Sequence, residues 1–134
     1  MSLFFDSNVL VYAFMDVEKR ERALEVLAQG GVISAQVLNE FTHVAQKKRR
    51  RTWPEIEAAL LVIRDWFQDI VPITSATHAS AVALARDHSF AFYDALIVAA
   101  ALEAGCDTLY SEDMQHGRVL AGLTIVDPFR EVGP

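Results

Sequence analysis

The chain has 134 residues, 52% of them hydrophobic and 22% charged, so a packed core is expected and wholesale disorder is not. A chain of this length is most simply one domain, spanning residues 1–134. The net charge of −6 argues against a surface that coats nucleic acid throughout. Basic residues are nevertheless concentrated in one run, formed by Lys47, Lys48, Arg49, Arg50 and Arg51.

The sequence contains no feature that predicts export or membrane insertion. Its longest apolar run is the eight residues from Ala95 to Leu102, whereas a membrane-spanning helix needs about 20. The N-terminal stretch "MSLFFDSN" lacks the basic and apolar regions of a signal peptide. The single cysteine, Cys106, cannot form an internal disulfide. A cytoplasmic location without membrane association is therefore expected.

Apolar patterning in the first half of the chain predicts alternating strands and helices. The short run "LFF" at residues 3–5 is typical of a buried strand. A helix is predicted over residues 18–29, where Gly30 and Gly31 end it. A second strand at residues 32–34 and a helix over residues 36–48 follow.

The same alternation continues to the C-terminus. Pro54 suits the first turn of a helix that runs to about Gln68. The later predicted elements are a strand at residues 70–73, helices over residues 77–87 and 93–104, a strand at residues 108–111, and a last strand in "LTIVDPF". Strands and helices that alternate with short connections predict a three-layer α/β/α sandwich with a mostly parallel central sheet of about five strands.

Four acidic residues lie where such a sheet would form a site, just beyond the carboxyl ends of its strands. Asp6 directly follows the first strand, and Asp113 follows the strand that ends near Ser111. Asp94 stands at the start of an apolar helix. Glu40 lies beside the apolar arc of its predicted helix and does not oppose it. These acids come from four separate segments of the chain.

Each of these acids also has a purely structural interpretation. Asp6 and Asp94 could be helix N-caps, Asp113 could be a turn residue, and Glu40 could be an exposed helix residue. Their joint occurrence favours a shared site, because converging carboxylates repel one another unless a cation neutralises them. Oxygen ligands without a His or Cys set nearby favour Mg²⁺ or Mn²⁺ over zinc.

Three segments carry a resemblance to a known family. "FFDSNVLVYAF" contains Asp6, "VLNEF" contains Glu40, and "FYDALIVAAALEAGCDTLYSED" contains Asp94 and Asp113. In order and spacing they resemble the PIN domain, and the bacterial VapC-type toxins most closely. The resemblance covers essentially the whole chain.

The resemblance implies a Mg²⁺- or Mn²⁺-dependent endoribonuclease that leaves a 5′-phosphate and a 3′-hydroxyl. In that family the acidic quartet binds the metal and carries catalysis, and it corresponds here to Asp6, Glu40, Asp94 and Asp113. We expect Asp6 and Asp94 to be the main ligands, Asp113 to complete the site, and Glu40 to hold a water molecule or a second ion. Side chains expected to orient these carboxylates are Ser7, Asn8 and Ser111. Glu112, adjacent to Asp113, has no assigned role; it could substitute as a ligand or face solvent.

Partners follow from the same resemblance. RNA is the implied substrate, and the basic run at residues 47–51 could bind its phosphates or simply end a helix in solvent. VapC-type toxins form homodimers and are inhibited by a cognate VapB-type antitoxin. The two helices around residues 36–68 resemble the hairpin that such an antitoxin binds. Two alternatives remain open, a PIN-like housekeeping nuclease and an inactive PIN-fold binding or scaffold protein.

Overall fold

A computed structural model describes residues 1–130 of the chain, and these residues form twelve short elements. The strands are β1 (Leu3–Phe5), β2 (Ile33–Ser34), β3 (Ile70–Val71), β4 (Thr108–Tyr110), β5 (Val119–Leu120) and β6 (Leu123–Val126). The helices are α1 (Ser7–Met15), α2 (Arg20–Leu27), α3 (Ala35–Lys47), α4 (Trp53–Trp66), α5 (Ser75–His88) and α6 (Phe92–Glu103).

The central sheet is mostly parallel, as predicted. Four strands are hydrogen-bonded in the order β1-β4-β6-β5, and only the β5–β6 pair is antiparallel. Strands β2 and β3 form a parallel pair, which a single bridge between Phe4 and Val32 joins to β1. Strand β5 was not among the predicted strands, because two residues next to a tight turn leave too short an apolar pattern.

Both faces of the sheet are covered, which confirms the sandwich. Phe4 and Phe5 on β1 are completely buried. Successive residues of a strand point to opposite faces, so their burial requires packing layers on both sides. Strand β1 therefore lies in the interior, and its carboxyl end carries Asp6 into the site.

Gly31 permits an unusually close approach beside β1. A Cβ atom at this position would lie 2.6 Å from the Leu3 carbonyl oxygen and 2.6 Å from Cε2 of Phe5. Without that atom, the Val32 N–H donates to the Leu3 carbonyl and the Phe5 N–H donates to the Val32 carbonyl, at 2.9 and 3.1 Å. The segment that leads into β2 and α3 is thus held directly against β1.

The five helices with predicted bounds are present, with ends displaced by one or two residues. The sequence predicted a helix start at Asp6 without bounds, and the structure places α1 there. Within residues 1–130, no helix combines the length and the apolar character needed to cross a bilayer.

Candidate active site

Asp6 is the buried centre of the site. It lies between β1 and α1, and its side chain caps α1 by accepting a 2.6 Å hydrogen bond from the Ser7 N–H. The Ser111 hydroxyl donates to Asp6 Oδ2 at 2.7 Å, and the Asn8 amide nitrogen donates to the same oxygen at 3.4 Å. The N-cap prediction for Asp6 is therefore confirmed.

Burial makes the Asp6 charge costly. The residue is 2% exposed, and its pKa rises from 3.8 to about 6 chiefly because burial disfavours the ionised form. The hydrogen bonds from Ser111 and Ser7 lower the pKa, while repulsion from Asp94 and Asp113 raises it further. The ionised form of Asp6 is thus disfavoured in the folded protein.

Glu40 approaches Asp6 from α3. Its two oxygens accept hydrogen bonds from the Ser7 hydroxyl at 3.4 Å and from the Gln36 amide at 3.1 Å. Burial, followed by repulsion from Asp6, raises the pKa of Glu40 from 4.5 to about 7. The Ser7 hydroxyl lies within 3.4 Å of both Asp6 Oδ1 and Glu40 Oε1, so it connects the two carboxylates.

Asp94 does not cap its helix, and that part of the sequence prediction is wrong. The N-cap of α6 is Ala91, and Asp94 lies in the first turn without a side-chain capping bond. The helix begins one residue earlier than predicted, at Phe92, so Asp94 is its third residue. Burial, followed by repulsion from Asp113, raises the pKa of Asp94. Its position near the positive end of α6 still favours the ionised form.

Asp113 is exposed and lies in the loop after β4. Asn8 donates to Asp113 Oδ2 at 3.2 Å as well as to Asp6, so one amide contacts two carboxylates. The Ser111 hydroxyl oxygen accepts the Asp113 backbone N–H at 3.2 Å. The structure therefore brings Ser7, Asn8 and Ser111 against the acids that they were predicted to orient.

An oxygen-only site of this kind fits a hard divalent cation. The four carboxylates are near enough to interact, because repulsion from Asp94 and Asp113 contributes to the raised pKa of Asp6, repulsion from Asp6 and Asp94 to that of Glu40, and repulsion from Asp113 to that of Asp94. Among residues 1–130, no group of three or more His, Cys, Asp or Glu side chains is arranged to hold a metal ion directly. Mg²⁺ retains several waters and uses few direct carboxylate ligands, so an open arrangement suits it.

Glu112, which had no assigned role, is turned toward α1 and the loop that follows it. Its carboxylate accepts hydrogen bonds from the Tyr12 hydroxyl at 2.5 Å and from the Lys19 ammonium at 2.8 Å. The hydrogen bond with Glu112 is the main reason that the pKa of Lys19 is raised. Glu112 is thus ion-paired outside the cluster of four acids.

The predicted basic run divides in the structure. Lys48 lines a groove of about 590 Å³ together with Glu40 and other residues of α3 and with Tyr93 of α6; Glu40 is the one of the four acids in its lining. Arg49 turns elsewhere, donating to the Met15 carbonyl at 3.1 Å and lying 3.6 Å from Asp16.

Arg51 lines a different cavity, with residues of α1 and α4. Lys48 is therefore the member of the run best placed to contact a ligand at the acidic site.

Several contributing residues were missed from the sequence. Gln36 lies four residues before Glu40, and helical spacing could have identified it. Tyr12 and Lys19 are more than 90 positions from Glu112. No local pattern could have revealed those contacts, because only the tertiary fold brings the segments together.

Solved structures with the same fold include three from bacterial toxin–antitoxin systems. A chain of a toxin–antitoxin complex from Klebsiella pneumoniae is 22% identical, with a TM-score of 0.75 over 97% of this chain and 100% of that chain. VapC20 from Mycobacterium tuberculosis, described as a toxin that cleaves the sarcin–ricin loop, is 18% identical, with a TM-score of 0.70 over 84% and 90% of the two chains.

A third structure, VapBC2 from Rickettsia felis bound to a fragment of its promoter DNA, is 18% identical, with a TM-score of 0.69 over 93% of this chain and 97% of that chain. A search of the curated proteins gives no match. The family model described as the PIN domain matches residues 3–120, which include all four acids. The chain therefore belongs to the PIN domain family.

Proposed function

We propose that this protein is a Mg²⁺- or Mn²⁺-dependent endoribonuclease and the toxin of a type II, VapBC-type toxin–antitoxin system. The observation that carries the proposal is the meeting of Asp6, Glu40, Asp94 and Asp113, from four segments, in one place where burial and mutual repulsion raise the pKa of the acids at its centre. Such charges are costly without a cation, so their assembly supports a metal-dependent reaction.

In this proposal the residues of the chain divide the work. Asp6, Asp94 and Asp113 would hold the cation, directly or through water. Glu40 would orient the attacking water, and its own carboxylate is fixed by Ser7 and Gln36. A bound divalent cation supplies two effects, a lower pKa for the attacking water and compensation of charge on the phosphoryl oxygens.

The groove beside Glu40 is where we propose that RNA binds. Lys48 offers a cation for a phosphate, and the Tyr93 ring is 64% exposed at the same groove, next to Asp94 in sequence. Cationic and exposed aromatic side chains are the usual contacts to an RNA strand. Lys48 lies eight residues beyond Glu40, about 12 Å at the rise of a helix, so it would contact a phosphate away from the one that is cleaved.

An antitoxin partner is part of the same proposal. Helix α4 exposes Leu61 by 72%, Trp53 by 51% and Trp66 by 44%. These side chains lie in the region that resembles the antitoxin-binding hairpin, and exposed apolar surface favours a protein partner. A homodimer remains an expectation of the family resemblance. The buried free thiol of Cys106 suits a reducing compartment such as the cytoplasm.

Cleavage assays with one matched pair of variants test the function. Purified protein, treated with EDTA and then given Mn²⁺ or Mg²⁺, should cleave RNA and leave 5′-phosphate ends. Asp94→Asn should reduce cleavage by about 10²–10³-fold, an effect typical of losing one strong electrostatic contact in a catalytic site. Asp65→Asn, an exposed acid on α4, is the control and should retain full activity.

The assay also separates the alternatives. An inactive scaffold would give no metal-dependent cleavage with either metal, and that result would contradict the proposal. Cleavage by Asp94→Asn at the wild-type rate would contradict the assigned site. Protection of bacterial growth by a neighbouring small gene that encodes a DNA-binding protein would distinguish a toxin from a housekeeping nuclease.

A further inference from the structure

The side chain of Glu112 is held at both of its oxygens. Tyr12 donates to Oε1 at 2.5 Å, and Lys19 donates to Oε2 at 2.8 Å as an ion pair. Only 25% of the Glu112 side chain is exposed. A carboxylate whose two oxygens already accept a phenol and an ammonium is poorly suited to bind a further cation, although it directly precedes Asp113.

The two donors are themselves fixed in place. The Tyr12 ring packs edge-on against Phe129 with centroids 5.0 Å apart, and the Lys19 ammonium lies 4.4 Å from the centre of the Tyr12 ring. The Lys19 backbone N–H donates to Asp16 Oδ1 at 3.1 Å. Glu112 is therefore anchored to helix α1, to the loop after α1 and, through Tyr12, to the segment after β6.

Asp113, by contrast, has few restraints of its own. Its carboxylate is exposed and accepts one hydrogen bond, from Asn8, and its N–H donates to the Ser111 hydroxyl. The Glu112 N–H donates to Asn8 Oδ1 at 3.3 Å. Residues 111–113 are thus tied at three successive positions. The Ser111 N–H also donates to the Val126 carbonyl of β6 at 3.0 Å, and the Glu112 side chain ties the loop to Tyr12 and Lys19.

We propose that Glu112 is a positioning residue: Tyr12 and Lys19 hold its carboxylate, and this anchor keeps Asp113 where it can bind the catalytic cation. The inference rests on the proposed function, because it assigns Asp113 to a cation site. It predicts that residues remote from the acids control cation affinity through the loop.

Calorimetric titration of the full chain with Mn²⁺ alone tests the inference without any RNA. Glu112→Ala should raise the Mn²⁺ dissociation constant by about 10-fold, as is typical when the support of a metal ligand is lost. Tyr12→Phe keeps the ring and its packing but removes the donor, and it should raise the constant by about threefold. Glu25→Ala, which removes a glutamate ion-paired to Arg22, is the control and should change nothing.

A double variant distinguishes positioning from direct metal binding. Tyr12→Phe combined with Glu112→Ala should be no weaker than Glu112→Ala alone, because the hydroxyl then has no carboxylate to hold. If Glu112 were a ligand, Tyr12→Phe would release one of its oxygens and leave the affinity unchanged or tighter. That result would overturn the inference, as would wild-type affinity in Glu112→Ala or effects that multiply in the double variant.

Failure of this inference is distinguishable from failure of the proposed function. If the wild-type protein binds Mn²⁺ and the Glu112 and Tyr12 variants bind it with the same affinity, only the positioning role is overturned. Wild-type protein that binds Mn²⁺ without cleaving RNA overturns only the nuclease function, and the affinities still decide the role of Glu112. Wild-type protein that binds no Mn²⁺ overturns both.

Discussion

Asp6 and Asp94 both belong to the acidic cluster, but their surroundings differ sharply. Asp6 is 2% exposed and accepts hydrogen bonds from Ser7, Asn8 and Ser111. Asp94 is half-buried, and in the described part of the chain its carboxylate accepts no hydrogen bond. One carboxylate is fixed by the fold, and the other is left free to respond to what binds.

If the proposed function is right, this difference indicates how a small fold builds a cation site. The fixed side sets the place of the site, because Asp6 is continuous with a buried strand and caps a helix. The free side leaves a charge whose repulsion a bound cation would relieve. Changes on the fixed side should therefore affect the stability of the fold, and changes on the free side should affect the chemistry.

The largest expected effect is a pH dependence of stability in the metal-free protein. The native pKa of Asp6 is raised from 3.8 to about 6 and that of Glu40 from 4.5 to about 7, so the native state binds more protons than the unfolded state in this range. Stability should therefore fall as the pH rises from about 3.8, the unfolded pKa of Asp6, to about 7, the native pKa of Glu40. For Asp6 the raised pKa corresponds to about 3 kcal/mol.

Urea unfolding in EDTA at several pH values measures this dependence. Asp6→Asn should flatten the curve, since it removes the group whose charge is penalised, whereas Asp65→Asn on exposed α4 should leave the curve as it is. A free energy of unfolding that stays constant or rises over this pH range would show that the ionised form of Asp6 does not destabilise the fold.

A smaller effect is expected in the groove. Lys48→Ala should raise the KM for RNA about fivefold and reduce the slope of log affinity against log salt by about one, as expected for one lost phosphate contact. The adjacent Lys47 is exposed and does not line the groove, so Lys47→Ala is a matched control with the same charge change. Equal effects of the two substitutions in filter-binding assays would mean that only net charge matters.

The smallest effect is expected for the stability of Asp94→Asn. The substitution loses a favourable interaction with the start of α6 but relieves burial and repulsion, so the free energy of unfolding should change by less than about 0.5 kcal/mol at pH 7 in EDTA. A loss of more than about 1 kcal/mol in the free energy of unfolding, measured with urea, would mean that Asp94, like Asp6, stabilises the fold.

Much of this architecture was predictable because its signals are local. The run "LFF", the helix stop at Gly30 and the apolar helix after Asp94 are patterns of a few residues, and each gave an element within one or two residues of the structure. The proximity of Asp6 and Asp113 was predictable for a different reason, since they follow the parallel neighbours β1 and β4, and the carboxyl ends of parallel strands meet at one edge.

What could not be predicted depends on tertiary contacts. The cap of α6 falls at Ala91, a residue without a capping side chain, so sequence favoured Asp94 instead. The basic run divides through tertiary contacts, because Lys48 lines the groove with Glu40 whereas Arg49 contacts Met15 and Asp16. The ion pair of Glu112 joins positions 93 residues apart in sequence.

The close contact at Gly31 has a consequence for the site above it. Strand β1 ends in Asp6, and the segment after Gly31 leads through β2 into α3, which carries Glu40. The two carboxylates thus lie on two backbone segments that can approach this closely only because Gly31 has no Cβ atom. Any side chain at this position would act as a spacer, and it would alter the distance between the two acids without touching either of them.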